Sequence, residues 1–292
     1  MQFDKERKDN NVRLRLTDKC NFRCFFCHDE GGHSEEEYTP GTDDTLALVE
    51  KLWEDGRRDF SLTGGEPTVN TTLLNRLLDW FAMKGSEARV SLITNGELLT
   101  ENIVERLARC ANRKIHVSIH TADTEKYQDI TGQRRVSPAE IARKLAFAAS
   151  KGITLKVNSV LLKNVNSDWE DIYALLRLAS ESGAKYVKLI EFLVTDEKYY
   201  DMYVKSDSVV AMLRKRLGQP VFSNMRTTTF DAADFGLLLE VTKCSCGVGC
   251  ESCARLRDDT FTGSRFYHPC MLDARKYDLE RVSLEECYRK GD

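Results

Sequence analysis

No stretch of this 292-residue chain approaches the roughly 20 apolar residues needed to cross a bilayer. The opening Met1-Gln2-Phe3-Asp4-Lys5-Glu6-Arg7-Lys8 lacks the apolar core of a signal peptide, so a cytoplasmic location and no membrane partner are expected. An excess of positive charge is missing too. Lys and Arg number 43 against 46 Asp and Glu, for a net charge of −3. That argues against a general nucleic-acid-binding surface, while a local basic pocket for a small anion stays open. Low-complexity tracts and short-period repeats are also absent. With 41% hydrophobic and 30% charged residues, the chain has the apolar material for one large domain or two ordinary ones.

Cysteine is not scarce. There are ten, three of them at 20–27 and five at 244–270. Cys110 and Cys287 stand alone and read as packing residues. The grouped ones read as metal ligands rather than disulfides. Cys20-Asn21-Phe22-Arg23-Cys24-Phe25-Phe26-Cys27 sets three thiolates at C-x3-C-x2-C, directly after a strand-like run. Such soft ligands suit zinc or an iron–sulfur cluster. Structural zinc takes four protein ligands. His28, adjacent to Cys27, is poorly placed to complete a tetrahedron with it. Three Cys therefore point to a cluster with one open iron. Cys244-x-Cys246-x3-Cys250-x2-Cys253-x16-Cys270 marks a second metal site, for which zinc and a second cluster fit the spacing equally.

Between these groups the pattern alternates. Strands are expected over 12–17, 58–63, 88–94, 114–120, 153–162 and 185–193. Helices are expected from 42 to 55 and over 70–84, 100–110, 137–151 and 167–182. Ser137-Pro138-Ala139-Glu140 has capping-box spacing with Pro at the first helical position. Residues 1–11 read as a loose arm and 28–41 as an irregular loop. Six strands separated by helices argue for a parallel sheet. Sheets buried on both faces read as continuous apolar runs, and these do not. Arg13, Arg15 and Thr17 oppose Val12, Leu14 and Leu16. His116, Ser118 and His120 oppose Ile115, Val117 and Ile119. Thr154, Lys156 and Asn158 oppose Ile153, Leu155 and Val157. The expected fold is α/β, a partial (β/α)6 TIM-like barrel over 1–200 whose polar face lines a cavity. Its sites gather at the C-terminal strand ends. A C-terminal Cys-rich extension, 201–292, begins with a helix over 206–217 and strand-like pieces near 220–223 and 236–242.

The cysteine triplet followed by Thr63-Gly64-Gly65-Glu66-Pro67 resembles the radical S-adenosylmethionine (SAM) superfamily. Within it the chain is similar to the GTP 3′,8-cyclases of molybdenum cofactor biosynthesis over about residues 12–285. That resemblance rests on Val12-Arg13-Leu14-Arg15-Leu16-Thr17-Asp18, Thr94-Asn95-Gly96, Val117-Ser118-Ile119-His120 and Ile130-Thr131-Gly132. It rests also on Lys156-Val157-Asn158, Ile190-Glu191-Phe192, Cys250-x2-Cys253-Ala254-Arg255-Leu256-Arg257 and Cys270-Met271-Leu272. It implies that Cys20, Cys24 and Cys27 ligate a [4Fe–4S] cluster that cleaves SAM to a 5′-deoxyadenosyl radical. Gly64, Gly65 and Glu66 would meet the SAM amino group, with Thr94, Asn95 and Ser118 near its other polar groups. Cys250, Cys253 and Cys270 would hold a second [4Fe–4S] cluster. Arg13, Lys156, Lys188, Arg255 and Arg257 would face the nucleotide, Arg13 and Lys156 among the catalytic residues. A low-potential electron donor is the implied protein partner.

The chain departs from the cyclases where substrate would be read. Asn70 stands near an arginine position, Lys188 replaces another arginine, Ala254 an asparagine and His120 an aspartate. Cys244 and Cys246 are extra thiols beside the second site, and a fourth ligand from either would close its open iron. The cyclases end in a Gly-Gly tail, whereas here Lys290-Gly291-Asp292 lies 22 residues after Cys270. The expected function is therefore radical SAM hydrogen abstraction, GTP 3′,8-cyclase-like on a nucleotide. A diverged enzyme modifying a peptide or other small metabolite is the alternative, and a non-catalytic zinc-stapled binding protein the second alternative. Lone histidines such as His28, His33 and His268 are more often structural; His116 and His120 share the inner face with Ser118. Tyr38, Tyr127, Tyr186 and Tyr267 are candidates to donate or quench a hydrogen atom, with nothing in the sequence to separate them.

Overall fold

The computed structural model describes residues 11–27, 38–194, 196–243, 259–268, 276–283 and 286. Six strands follow one another as neighbours: β1 (Asn11–Arg15), β2 (Asp59–Thr63), β3 (Arg89–Thr94), β4 (Asn112–Ser118), β5 (Thr154–Leu161) and β6 (Tyr186–Glu191). All are parallel. Between them run α1 (Thr42–Glu54), α2 (Thr71–Met83), α3 (Glu101–Ala108), α4 (Thr124–Thr131), α5 (Pro138–Ser150) and α6 (Trp169–Glu181). Then come α7 (Ser206–Leu217), β7 (Phe222–Ser223), β8 (Thr227–Ala232), β9 (Leu237–Thr242), β10 (Asp259–Thr262), β11 (Phe266–His268) and β12 (Tyr277–Asp278). The twelve strands among the described residues belong to one sheet of order β12-β11-β10-β1-β2-β3-β4-β5-β6-β9-β8-β7.

The sequence pattern had pointed to six parallel strands. The structure adds β10 parallel to β1 and β9 parallel to β6, so the later chain extends both edges of the same sheet. An ion pair secures the β10 edge: Arg57 donates to Asp259 at 2.6 Å, with both side chains buried. The Tyr267 hydroxyl donates to the same carboxylate at 2.9 Å. The helix α4 was not anticipated. Asp123 caps it and Gly132 closes it in the left-handed region at φ 63°.

The two faces divide as the alternation implied. On β5, Leu155, Val157 and Leu161 are fully buried, while Thr154, Lys156 and Asn158 are half-buried. The helices supply the opposing apolar layer. Leu73, Leu74, Leu77, Leu78 and Phe81 of α2 are all 0% exposed, each a burial worth about 1.5–3 kcal/mol relative to exposure. The α5 capping box forms in full, Ser137 N–H donating to Glu140 at 2.8 Å and Glu140 N–H to Ser137 Oγ at 3.3 Å. For α1 the cap is Gly41, one residue before Thr42 and without a side-chain bond. Asn70 has a structural task here. It caps α2 by accepting from Leu73 N–H at 3.3 Å and donates to Leu16 O at 2.9 Å. Cys110 is fully buried and its thiol donates to Leu78 O at 3.6 Å, the packing role its isolation suggested.

Candidate active site

The thiol loop leaves the C-terminal end of β1 and is held by the backbone around it. Arg23 N–H donates to Thr131 O at 2.9 Å and Phe25 N–H to Ile130 O at 3.3 Å. Ile130-Thr131-Gly132 is therefore the edge on which the loop lies. A Cβ at Gly132 would stand 2.9 Å from Arg23 O, too close for any side chain. Aromatic rings wedge the loop from beneath: Phe26 edge-on to His120 at 4.8 Å, Phe25 tilted on Tyr199 at 4.9 Å, Phe22 edge-on to Tyr127 at 6.3 Å.

Cys20, Cys24 and Cys27 are partly buried thiols, none of them in a disulfide. Burial pushes Cys20 up to about 11, offset in part by the N–H of Phe22 on its sulfur at 3.4 Å; the charges of Glu66 and Cys27 push it further up. Cys24 is raised further, first by burial and then by the other two thiols. Three partly buried thiols that repel one another as anions become thiolates when a metal core supplies positive charge. The donor set thus fits an iron–sulfur cluster. Among the described residues no three His, Cys, Asp or Glu side chains converge tightly enough to share a single ion.

Gly64-Gly65-Glu66 docks against the root of that loop. Gly65 N–H donates to Thr17 O at 2.7 Å and Glu66 N–H to Lys19 O at 2.8 Å. The fit requires glycine. A Cβ at Gly64, where φ is 140°, would lie 2.4 Å from Thr17 O, and one at Gly65 2.2 Å from Lys19 O. The Glu66 carboxylate is buried and turned inward. It accepts from Thr68 N–H at 3.1 Å, Thr68 Oγ1 at 2.6 Å, Thr94 Oγ1 at 2.7 Å and Asn95 N–H at 2.7 Å. Burial pushes this carboxyl up and the four donors oppose the shift. Its side chain is thus committed to binding two strand-end loops together.

Asn95 extends the network by donating to Asn21 Oδ1 at 2.8 Å. Asn21 in turn donates to Glu97. Arg135 closes the ring, donating to both Glu97 oxygens at 2.6 and 2.9 Å and to Asn21 O at 2.6 Å. The Arg135 bonds come first among the causes that hold the Glu97 carboxyl below its usual range. Glu97 and Arg135 were not singled out in the sequence. Glu97 directly follows Thr94-Asn95-Gly96, a signal in reach; Arg135 has none.

The polar face carries cations. In register across the sheet, His116 lies beside Lys156, and Ser118 beside Asn158, Lys188 and Glu240. Arg13 is 8% exposed on β1. His116 is pushed down to about 3, first by burial and then by Lys156, Lys114, Lys188 and Arg13. It is a neutral imidazole among positive charges. Lys156 is not a bare cation, because its Nζ donates to Glu240 at 2.5 Å and both side chains are about a fifth exposed. Glu240, the only charged residue of β9, is a further residue the sequence did not bring forward. His120 is structural. Its Nδ1 accepts from Val160 N–H at 3.2 Å, and burial pushes it down to about 4. Glu191 of Ile190-Glu191-Phe192 holds the start of α7, accepting from Ser206 N–H at 2.8 Å and Tyr203 Oη at 3.2 Å. Cys244, Cys246, Cys250, Cys253, Cys270, Arg255 and Arg257 lie outside the described residues, as do His28, His33 and Cys287.

The profile of the Radical SAM superfamily matches residues 14–179. A probable GTP 3′,8-cyclase of Pyrobaculum aerophilum is 33% identical over 224 residues, covering 75% of this chain and 71% of that protein. The GTP 3′,8-cyclase of Aquifex aeolicus is 26% identical over 292 residues, covering 96% and 87%. Among solved structures, Streptococcus suis SuiB bound to S-adenosylmethionine superposes with a TM-score of 0.72 at 16% identity. That match covers 95% of this chain and 65% of SuiB, and it supports the fold alone. Among the described residues no helix is long and apolar enough to cross a membrane.

Proposed function

The chain belongs to the radical SAM superfamily, and from that premise we propose that it is a GTP 3′,8-cyclase-like enzyme abstracting hydrogen from an anionic nucleotide, with GTP the first candidate. Membership implies a [4Fe–4S] cluster used with SAM. Held by Cys20, Cys24 and Cys27, it would supply the electron that cleaves SAM to a 5′-deoxyadenosyl radical.

The observation that carries the nucleotide reading is the placing of Lys156 beside His116 and of Lys188 beside Asn158 in the strand register, with Arg13 on the same sheet. Cations gathered on one polar face raise the local positive potential and favour an anionic ligand, and a nucleotide phosphate is one. Gly64, Gly65 and Glu66 would offer backbone groups to the SAM ammonium. Thr94, Asn95 and Ser118 would hold its other polar groups, and Phe25 and Phe26 would keep water from the thiol loop. Arg13, Lys156 and Lys188, joined by Arg255 and Arg257, would fix the phosphates. In the extension, 201–292, Cys250, Cys253 and Cys270 would hold a second cluster, with Cys244 or Cys246 able to complete it. A low-potential donor would supply electrons. The Lys156–Glu240 pair favours a second reading, because a carboxylate among the cations lowers the site's demand for negative charge. On that reading the substrate is a peptide or other small metabolite.

The test is anaerobic reconstitution, iron and sulfide analysis, and 5′-deoxyadenosine formation with and without GTP. About eight irons with GTP-dependent cleavage and a cyclised product is the expected result. SAM cleavage indifferent to GTP, with no GTP binding, overturns the nucleotide reading in favour of the second. About four irons plus zinc makes the C-terminal cysteines structural.

A further inference from the structure

Arg135 lies in the short connection between α4 and α5, its side chain 57% exposed, yet it reaches back onto the thiol loop. Its Nε and Nη2 grip the two oxygens of Glu97 at 2.6 and 2.9 Å, and Nη2 also donates to the Asn21 carbonyl at 2.6 Å. Asn21 directly follows Cys20. Its side chain donates to Glu97 and accepts from Asn95 Nδ2 at 2.8 Å. Glu97 N–H in turn donates to Asn95 Oδ1 at 3.0 Å. One ion pair therefore joins the turn after β3, the α4–α5 connection and the residue beside the first thiol.

Exposed ion pairs are ordinarily worth little, because two long side chains must be ordered to make them. Here the ordering is built in. The buried Gln133 side chain fixes the turn that carries Arg135. Its Oε1 accepts from Arg135 N–H at 2.7 Å and Val136 N–H at 3.1 Å, and its Nε2 donates to Val136 O at 3.0 Å. The α5 capping box follows at Ser137. On the other side, Lys144 of α5 donates to the Glu97 carbonyl. Both partners are held before they meet, and the grip is bidentate, the strong and directional form of such a pair.

We propose that Arg135 is a positioning residue for SAM: clamped on Glu97, it holds Asn21, and through it Asn95, in a fixed place beside Cys20. This rests on the reading above that Cys20, Cys24 and Cys27 hold the cluster and that Asn95 lies at SAM. The bonds of Arg135 run to Glu97 and Asn21 rather than to a thiol, so it acts on the spacing between the cluster loop and the Thr94-Asn95-Gly96 turn. Losing it loosens SAM more than it unloads the cluster.

The test uses Arg135→Gln, Arg135→Lys, Glu97→Gln and the Arg135→Gln/Glu97→Gln double variant in the full chain. Iron and sulfide after anaerobic reconstitution report the cluster. Urea denaturation of the metal-free protein reports folding. Formation of 5′-deoxyadenosine against SAM concentration separates KM from kcat. The expected result is iron and unfolding midpoint as in wild type, with KM for SAM raised about tenfold, the equivalent of about 1.4 kcal/mol, and kcat changed less. Arg135→Lys behaves as Arg135→Gln, because lysine keeps the charge and loses the fork. The double variant is no worse than either single one, because the pair acts as a unit. A KM within about twofold of wild type in both single variants overturns the proposal. So does full rescue by lysine, which would leave charge alone as the cause, and so does a lowered midpoint with KM unchanged, the mark of a plain structural tie. Wild-type protein that takes up no iron at these cysteines overturns the cluster assignment instead.

Discussion

Replacing Glu66 with glutamine removes one charge and exchanges one accepting oxygen for an NH2 donor at a site where every partner donates. Oε1 accepts from Thr68 N–H and Oε2 from Asn95 N–H. Backbone amides can only donate, so each carboxylate oxygen faces an obligatory donor. A glutamine NH2 therefore meets a backbone N–H in either orientation. A hydrogen bond to a charged acceptor contributes about 1.5–3 kcal/mol, and a stranded buried donor costs about 1–3 kcal/mol more. The side chain is 1% exposed, so water gives no relief. The expected destabilisation is about 3–5 kcal/mol, measured by anaerobic urea denaturation of the metal-free protein. SAM affinity falls with it, because Thr94 and Asn95 lose the anchor that sets their loop. A loss under about 1 kcal/mol would refute the reasoning. It would mean that Glu66 is already protonated, as burial favours, and that its proton serves one of these bonds.

Gly65→Ala places a methyl 2.2 Å from Lys19 O, against backbone that cannot move without unseating the thiol loop. Iron uptake on reconstitution should fall at least tenfold, and uptake equal to wild type would contradict the docking described here. Glu240→Gln releases Lys156 from its carboxylate. GTP or inorganic triphosphate should bind about tenfold tighter, about 1.4 kcal/mol, with a steeper fall in added salt; calorimetry showing equal or weaker binding removes Glu240 from the substrate site. The buried His120 is held down to about 4 from 6.5. Protonation then favours the unfolded chain, so its contribution is whole above pH 6.5 and declines as pH falls toward 4. The loss is about 2 kcal/mol by pH 5 at about 1.4 kcal/mol per unit. His120→Asn should flatten that part of the stability curve, and an unchanged slope assigns the pH dependence to other groups.

The local chemistry of this protein was fixed by sequence alone. Cys20, Cys24 and Cys27 sit within one short loop, so their spacing carries their meaning. Alternation along β4 and β5 declared one face apolar and one polar, because side chains on a strand point to opposite faces in turn. Ser137 and Glu140 declared a helix start for the same reason of short range. What the tertiary structure decided lies between residues far apart in the chain. The addition of β9 and β10 to opposite edges of one sheet leaves no mark on either strand, since a pairing partner is not written in a strand's own period. The ring of Asn21, Glu97 and Arg135 closes across 114 positions, and Lys156 meets Glu240 across 84. Glu66 reads in the sequence as a ligand contact. Only the fold turns its carboxylate inward, because four donors from two loops meet where β2 and β3 end.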